Sequence, residues 1–262
     1  MLSRSLTGIA HLSRWKEHVL FTLPATLSGA NMAASRCAGS PEPGWPLAAV
    51  TAANLLAVTF AFMVNDIEDA SDDAQDRIRG AHNAVACGEI SPRAGWVVSG
   101  LVGSLALVLF ASINRETFAA GGLTLGLGLL YSWRPVRLKA FPAVDVLSHV
   151  LMLSSLLFLA GYFVYDAGPG RAWWAAAGVG LISAYGQLYN QLRDYDMDRS
   201  ANLHNTASIL GRQVTQRLMY VGLGAAGLCL GITVIMGLWP LWLMIVPLLM
   251  SPLLILARFR VD

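Results

Sequence analysis

Charge is what this sequence has least of. Only 13% of its 262 residues are Asp, Glu, Lys or Arg, about half the share usual in a soluble domain. Hydrophobic residues make up 55% and the mean hydropathy is +0.55, a balance that belongs to a chain solvated by lipid. The net charge of +2 is too small to attract nucleic acid, so no nucleic-acid partner is expected. Cysteine is scarce as well. Cys37, Cys87 and Cys229 are odd in number, with no CxxC and no neighbouring His spacing. That argues against a disulfide framework or a zinc site and leaves all three as packing residues. No low-complexity linker interrupts the chain, so residues 1–262 are expected to form one integral-membrane helical domain.

What is abundant is apolar runs of membrane-spanning length. They fall near 17–36, 45–65, 93–112, 117–133, 143–165, 172–192, 214–237 and 239–258, each close to the roughly 20 residues needed to cross a bilayer. The expected fold is therefore all-α, a polytopic transmembrane bundle of about eight spans. Asn114-Arg115-Glu116 makes a tight polar turn for an antiparallel hairpin. Glycines within spans (Gly121, Gly122, Gly126 and Gly128; Gly222, Gly224, Gly227 and Gly231) predict close helix packing. Ahead of the first span, Arg4, Arg14 and Lys16 accompany an apolar face of Leu2, Leu6, Ile9 and Leu12. This pattern predicts a helix lying on the membrane surface. A signal peptide is the rival, given Ala33-Ala34-Ser35 after the first run, but the seven apolar runs that follow favour a retained span.

Two short patterns break the apolar background. Asn65, Asp69 and Asp73 close the second run, and Asn190, Asp194 and Asp198 close the sixth. On a continuous helix, residues at i, i+4 and i+8 span an arc of about 80° and about 12 Å of axis, so each set forms one oxygen-bearing stripe. With eight spans, 15 of the 18 basic residues fall on the side of the N-terminus; Arg36, Arg115 and Arg171 alone fall opposite. Excess Lys and Arg mark the cytoplasmic side, so the N-terminus and both stripes are expected there. A polar cap on that side of the bundle follows.

Carboxylate and amide oxygens with open coordination positions suit Mg²⁺, which keeps waters and shares phosphate oxygens. Two facing stripes could hold such ions with a diphosphate between them. Arg77, Arg79, Arg134, Arg137, Lys139 and Arg193 are available for the remaining phosphate charge. Glu68, Asp72 and Asp76 form a second row, expected to be a solvated loop face. Asp145 and His149, four apart at the start of the fifth span, could orient or deprotonate an acceptor, although an interfacial polar pair explains them as well. Phe60, Phe62, Trp133, Tyr185 and Tyr189 could face a cation or simply pack.

Asn65-Asp66-x-x-Asp69-x-x-x-Asp73 resembles the first aspartate-rich motif of the UbiA superfamily of intramembrane prenyltransferases. Asp194-x-x-x-Asp198, followed by Thr206-Ala207-Ser208-Ile209-Leu210-Gly211, resembles the second. Tyr131-Ser132-Trp133-Arg134-Pro135-Val136-Arg137-Leu138-Lys139 is similar to a segment of chlorophyll-synthase-like members. The resemblance implies a helical bundle whose cavity opens laterally to lipid. It also implies Mg²⁺, an isoprenyl diphosphate donor, and capture of an allylic cation by a small acceptor, often an aromatic ring. By the same resemblance Asn65, Asp66, Asp69, Asp73, Asp194 and Asp198 bind metal, with Asn190 added on spacing. Asp69, Asp73, Asp194 and Asp198 are the catalytic set, and Tyr131, Arg137 and Lys139 contact diphosphate.

The chain also departs from that pattern. His82-Asn83-Ala84-Val85 stands where members often have Asn-Arg-Pro-Leu, so Arg77 or Arg79 would have to grip phosphate. His204 stands where a Lys is common, a weaker and pH-dependent phosphate partner. Members often have nine spans, so one cavity wall could be reduced or supplied by another subunit. Two further functions stay open: a terpene cyclase on the same scaffold, needing no acceptor, and, more remotely, an ion transporter. Transporter acids usually sit at the midplane rather than at span ends.

Overall fold

The computed structural model describes residues 2–37, 42–200 and 203–240. Among these residues the chain is helix and connecting turn with no strand. The helices are α1 (Leu2–Leu12), α2 (Trp15–Ala34), α3 (Trp45–Asp73), α4 (Arg77–His82), α5 (Pro92–Ala111), α6 (Arg115–Ser132), α7 (Val144–Tyr162), α8 (Ala172–Arg193), α9 (Tyr195–Ser200), α10 (Thr206–Leu210) and α11 (Arg212–Ile235).

Seven of the eight expected runs coincide with long helices to within a few residues, apart from α3, which continues beyond its run. The eighth, 239–258, lies outside the described residues after Pro240. Among the described residues four helices, α3, α5, α7 and α11, are long and apolar enough to cross a membrane by composition. The count of eight spans is thus not reached by that criterion. Three long helices fall short: α2 and α8 carry polar positions within their length, His18, Thr22 and Thr26 on α2 and Gln187 and Gln191 on α8, and α6 has only 18 residues and opens with Arg115 and Glu116.

Local chemistry sets the helix ends. Ser91 caps α5 through Ala94 N at 3.3 Å, with Pro92 in the first turn. Asn114 Oδ1 accepts from Thr117 N at 2.8 Å and its Nδ2 donates to Phe163 O at 2.7 Å, so the hairpin turn is also tied to the end of α7. Asp76 caps α4 by accepting from Ile78 N and Arg79 N at 2.8 and 2.9 Å. These two backbone donors hold the Asp76 carboxyl below its usual range.

Helix α3 is the central member, packing on α2, α5, α6 and α7. Its 29 residues give about 43 Å of helix, more than the roughly 30 Å of a bilayer's hydrocarbon, so its last turns extend beyond an apolar slab. Buried Asn54 joins three helices: its Nδ2 donates to Thr26 Oγ1 at 2.8 Å and Leu157 O at 3.0 Å. Where α2 crosses α7, a Cβ at Gly29 would overlap the carbonyl of Phe158, and one at Gly161 the carbonyl of Thr26. The obstruction is backbone on both sides and cannot swing away. Gly161→Ala is therefore expected to cost about 3 kcal/mol, measured as a lower unfolding midpoint in detergent. An unchanged midpoint would mean that the crossing is looser than described.

The middle turn of α7, Leu151–Ser155, is a π-helix. Ser154 and Ser155 there donate to Val179 O and Ala176 O of α8, each at 2.9 Å. This widening turns Met152 and Leu153 toward the interior cavity. Helix α1 is amphipathic, but its described apolar residues meet protein rather than lipid. Leu12 is fully buried with Met63, Ile67, Ala84, Val85 and Ile90, and Ile9 packs beside them. The surface-helix expectation fails for these two because the loop after α4 supplies a partner face. Cys37 and Cys229 are half-buried, as packing residues would be, whereas Cys87 is exposed and is not one.

Candidate active site

Helix α3 does run unbroken through the first motif, so Asn65, Asp69 and Asp73 share one face. Helix α8 stops at Arg193, and α9 starts at Tyr195. The second stripe survives this break because i→i−4 bonds continue through it. Asp194 N donates to Asn190 O at 3.0 Å and Asp198 N to Asp194 O at 2.9 Å.

Below the two stripes lies a cavity of about 920 Å³, at the upper end of the roughly 300–1,000 Å³ typical of small-molecule sites. Its walls come from α2, α3, α6, α7 and α8, and the leading asparagines of both motifs, Asn65 and Asn190, line it. Tyr131, His149 and Gln187 are its polar groups among apolar neighbours such as Leu20, Leu153 and Ile182; Arg14, Glu17 and Arg193 also line it. Among the described residues, α2 and α8 form opposite walls yet scarcely touch. Leu20 of α2 and Ile182 of α8 line the cavity and are exposed among the described residues.

The cap over the cavity is a mesh of opposite charges. Asp69 pairs with Lys139 in a short contact and with Arg137 at 3.5 Å. Asn65 Oδ1 accepts from Lys139 Nζ at 3.1 Å and Ser132 Oγ at 2.8 Å. Burial pushes the Lys139 ammonium down from its usual range, against the opposing pull of Asp69. Asp73 accepts from Asn83 Nδ2 at 2.9 Å, and the same amide donates to Asp66 O at 2.8 Å. Asn83 also caps its own turn, accepting from Val85 N and Ala86 N at 2.9 and 3.1 Å.

The row of Glu68, Asp72 and Asp76 is solvated only in part: Glu68 is covered, whereas Asp72 and Asp76 keep contact with water while taking partners. Glu68 accepts from Arg134 N at 3.1 Å, and Asp72 pairs with Arg134 at 3.3 Å and Arg137 at 3.0 Å. These acids hold the segment after α6 over α3, while Asp76 serves as the α4 cap. On the second side Arg193 pairs with Asp194 at 3.1 Å. Asp198 accepts from Asn205 Nδ2 at 2.7 Å and sits 3.6 Å from Arg79. Burial pushes the Asp198 carboxyl up, opposed by Asn205 and Arg79. The Arg79–Asp198 pair ties α4, which follows the first motif, to the second motif.

Not every expected residue joins this group. Asp66, one position round the helix from Asn65, is buried at 1% exposure and bonds Arg14 at 3.1 Å, away from the stripe. Its Oδ2 has no partner. Arg77 and His204 are exposed and have no side-chain partner among the described residues. Of the two candidates for the missing arginine, Arg79 reaches the stripes. Asp145 is 1% exposed and fully engaged, accepting from Gln191 Nε2 and Thr206 N, each at 2.7 Å, from Thr206 Oγ1 at 2.5 Å and from Val146 N at 2.8 Å. It clamps the Thr206-Ala207 segment to α8 and has no oxygen free for an acceptor. His149 instead lines the cavity, 3.4 Å from Ser183 Oγ, its ring 6.3 Å from that of Tyr131. Phe62 and Tyr131 of the aromatics line it too, whereas Phe60, Trp133, Tyr185 and Tyr189 do not. Asn83, Gln187 and Arg14 were invisible as site residues in sequence, since their partners lie 10 or more positions away.

Among the described residues no three carboxylate oxygens of the stripes gather within 4.8 Å. The stripes offer carboxylate and amide oxygens only, the hard donors that Mg²⁺ takes alongside waters and phosphate oxygens.

Residues 22–262 match the UbiA prenyltransferase family. The chain belongs to that family. Among curated proteins none matches it. Of solved structures, a UbiA homologue from Archaeoglobus fulgidus bound to GPP and Mg²⁺ superposes with a TM-score of 0.74 at 23% identity, covering 98% of this chain and 85% of that one. Digeranylgeranylglyceryl phosphate synthase gives 0.73 at 16% identity, covering 97% and 86%. A UbiA homologue from Aeropyrum pernix K1 gives 0.70 at 21%, covering 83% and 78%. At these identities the UbiA fold is what the chain shares with them.

Proposed function

We propose that this UbiA-family protein is an Mg²⁺-dependent intramembrane transferase. It moves an isoprenyl group from an isoprenyl diphosphate to a small acceptor. The observation that carries this reading is the placement of two oxygen-bearing stripes, from α3 and α8–α9, whose leading asparagines line one largely apolar cavity. The family, and the GPP, DMAPP and Mg²⁺ bound by the A. fulgidus homologue, support it.

In this reading Asp69 and Asp73 with Asn65, and Asp194 and Asp198 with Asn190, are the residues that hold Mg²⁺; Asp66 instead braces Arg14. Bound Mg²⁺ would neutralise charge on the diphosphate and so favour its departure. Arg137, Lys139, Arg193 and Arg79 exchange their carboxylate partners for phosphate oxygens, and Arg134 steadies the loop through Glu68 and Ser71. Arg77 and His204, exposed at the rim, assist entry of the anion rather than its ionisation. Such cations act where charge develops on the departing group. The isoprenyl chain lies among Leu20, Phe21, Leu153 and Ile182. The Tyr131 face stabilises the allylic cation, with the ring held by the Gln187 Nε2 bond to its hydroxyl at 3.0 Å. His149 accepts the proton lost after carbon–carbon bond formation. The cavity is large enough for a chain and a second small molecule, the ground for preferring an acceptor. Residues 1–262 act as one membrane domain, with the N-terminus and the polar cap cytoplasmic, as 15 of 18 basic residues on that side suggest.

The test is incubation of purified protein and Mg²⁺ with geranyl, farnesyl and geranylgeranyl diphosphates, first alone and then with aromatic acceptors. Consumption only when an acceptor is present is expected. A cyclised hydrocarbon or terpene alcohol formed without acceptor would replace the transferase reading with a cyclase. No consumption under either condition would sink both.

A further inference from the structure

Outside the active site, His11 of α1 and Cys87 and Glu89 of the turn before α5 bring one nitrogen, one sulfur and one carboxylate oxygen within 4.8 Å of one another. We propose that these three side chains form a zinc-class metal site that staples α1 to the loop behind the first aspartate motif. The site is separate from the Mg²⁺ reading and does not depend on it.

The donor set points to the metal. A thiolate, an imidazole and a carboxylate together match a borderline-soft divalent ion such as Zn²⁺, whereas Mg²⁺ and Ca²⁺ take oxygen alone. Zinc bonds of roughly 2.0–2.3 Å place tetrahedral ligands roughly 3.4–3.7 Å apart. A separation within 4.8 Å therefore closes by side-chain rotation, without backbone movement. His11 Nδ1 already lies 2.8 Å from Glu89 Oε2, and a water would take the fourth position. Binding replaces that hydrogen bond and releases the Cys87 thiol proton to solvent.

The backbone presents the donors rigidly. Residues 84–89 form a helix-ending turn in which Glu89 N donates to Ala84 O at 3.0 Å and Gly88 N to Val85 O at 3.1 Å. Gly88 adopts φ of 78°, the left-handed position this turn requires. The turn throws Cys87 and Glu89 outward on either side of that glycine. Helix α1 is pressed against it: a Cβ on Gly8 would lie 2.8 Å from the Glu89 carbonyl oxygen. Leu12, one residue past His11, is fully buried against the same loop. Nothing about Cys87 reveals this in sequence, because His11 is 76 positions away. The location gives the staple a consequence. Arg14, which holds Asp66, follows His11 by three residues in the connection to α2, and Asn83, which holds Asp73, begins the turn that carries Cys87.

The experiment is titration of the purified full-length protein with Co²⁺ in detergent and saturating Mg²⁺, reading near-ultraviolet thiolate-to-cobalt absorption. One equivalent of Co²⁺ is expected to produce this band, Zn²⁺ to abolish it, and Asp69→Asn to retain it. Cys87→Ser should remove the band, Glu89→Gln should weaken binding at least about tenfold, and Cys37→Ser should change nothing. Zn²⁺ should also raise the unfolding temperature of the wild type but not of Cys87→Ser. Absence of the band in a folded wild type, or its persistence in Cys87→Ser, would overturn the proposal.

Discussion

Replacing Asp69 by Asn should lower Mg²⁺-dependent turnover by at least about a hundred- to thousandfold, the scale on which removal of one charge-stabilising group acts. Asp69 is chosen because it sits mid-stripe and pairs with both Lys139 and Arg137. Asparagine keeps an oxygen for Lys139 but loses the charge that a divalent ion needs. Alanine at the same place would also strand the Lys139 ammonium, buried and with Asn65 as its remaining acceptor, so part of its effect would be loss of folding. Comparing the two separates chemistry from stability. Asp194→Ala should fall equally far in rate with little change in unfolding, since its partner Arg193 is exposed and can turn to water. Wild-type rates in either folded variant would remove the metal assignment.

Asp145→Ala should be the most destabilising polar substitution near the site, costing about 3 kcal/mol or more and lowering the unfolding midpoint in detergent. The carboxylate accepts four hydrogen bonds with almost no exposure. Its removal leaves the Thr206 amide and the Gln191 side chain buried without an acceptor, at about 1–3 kcal/mol for each unmet group. Activity should fall too, because Asn205 of the released segment holds Asp198. His149→Gln, by contrast, should leave the midpoint nearly unchanged and alter the product or its rate. An Asp145→Ala protein that melts like the wild type would mean that the clamp is redundant.

The sequence by itself determined the class of this protein. Apolar runs separated by polar turns specify membrane helices because hydrocarbon leaves the backbone no other partners. Seven of the expected runs match long helices in the structure. The i, i+4, i+8 repeats likewise made both stripes legible, since helical periodicity alone decides which face Asn65, Asp69 and Asp73 share. What the tertiary structure decided is everything that depends on a partner far along the chain. Asp66 is drawn away from its motif by Arg14, 52 positions earlier, and Arg79 reaches Asp198 across the cap. Asp145 became a clamp and His149 a cavity residue, although both start the same helix. Glu68 was read as solvated because a row of acids carries no mark of the arginine that will fold over it. Cys87 was read as packing for the same reason. A side chain's role in such a site is set by what lies within a few ångströms, and sequence order does not encode that distance.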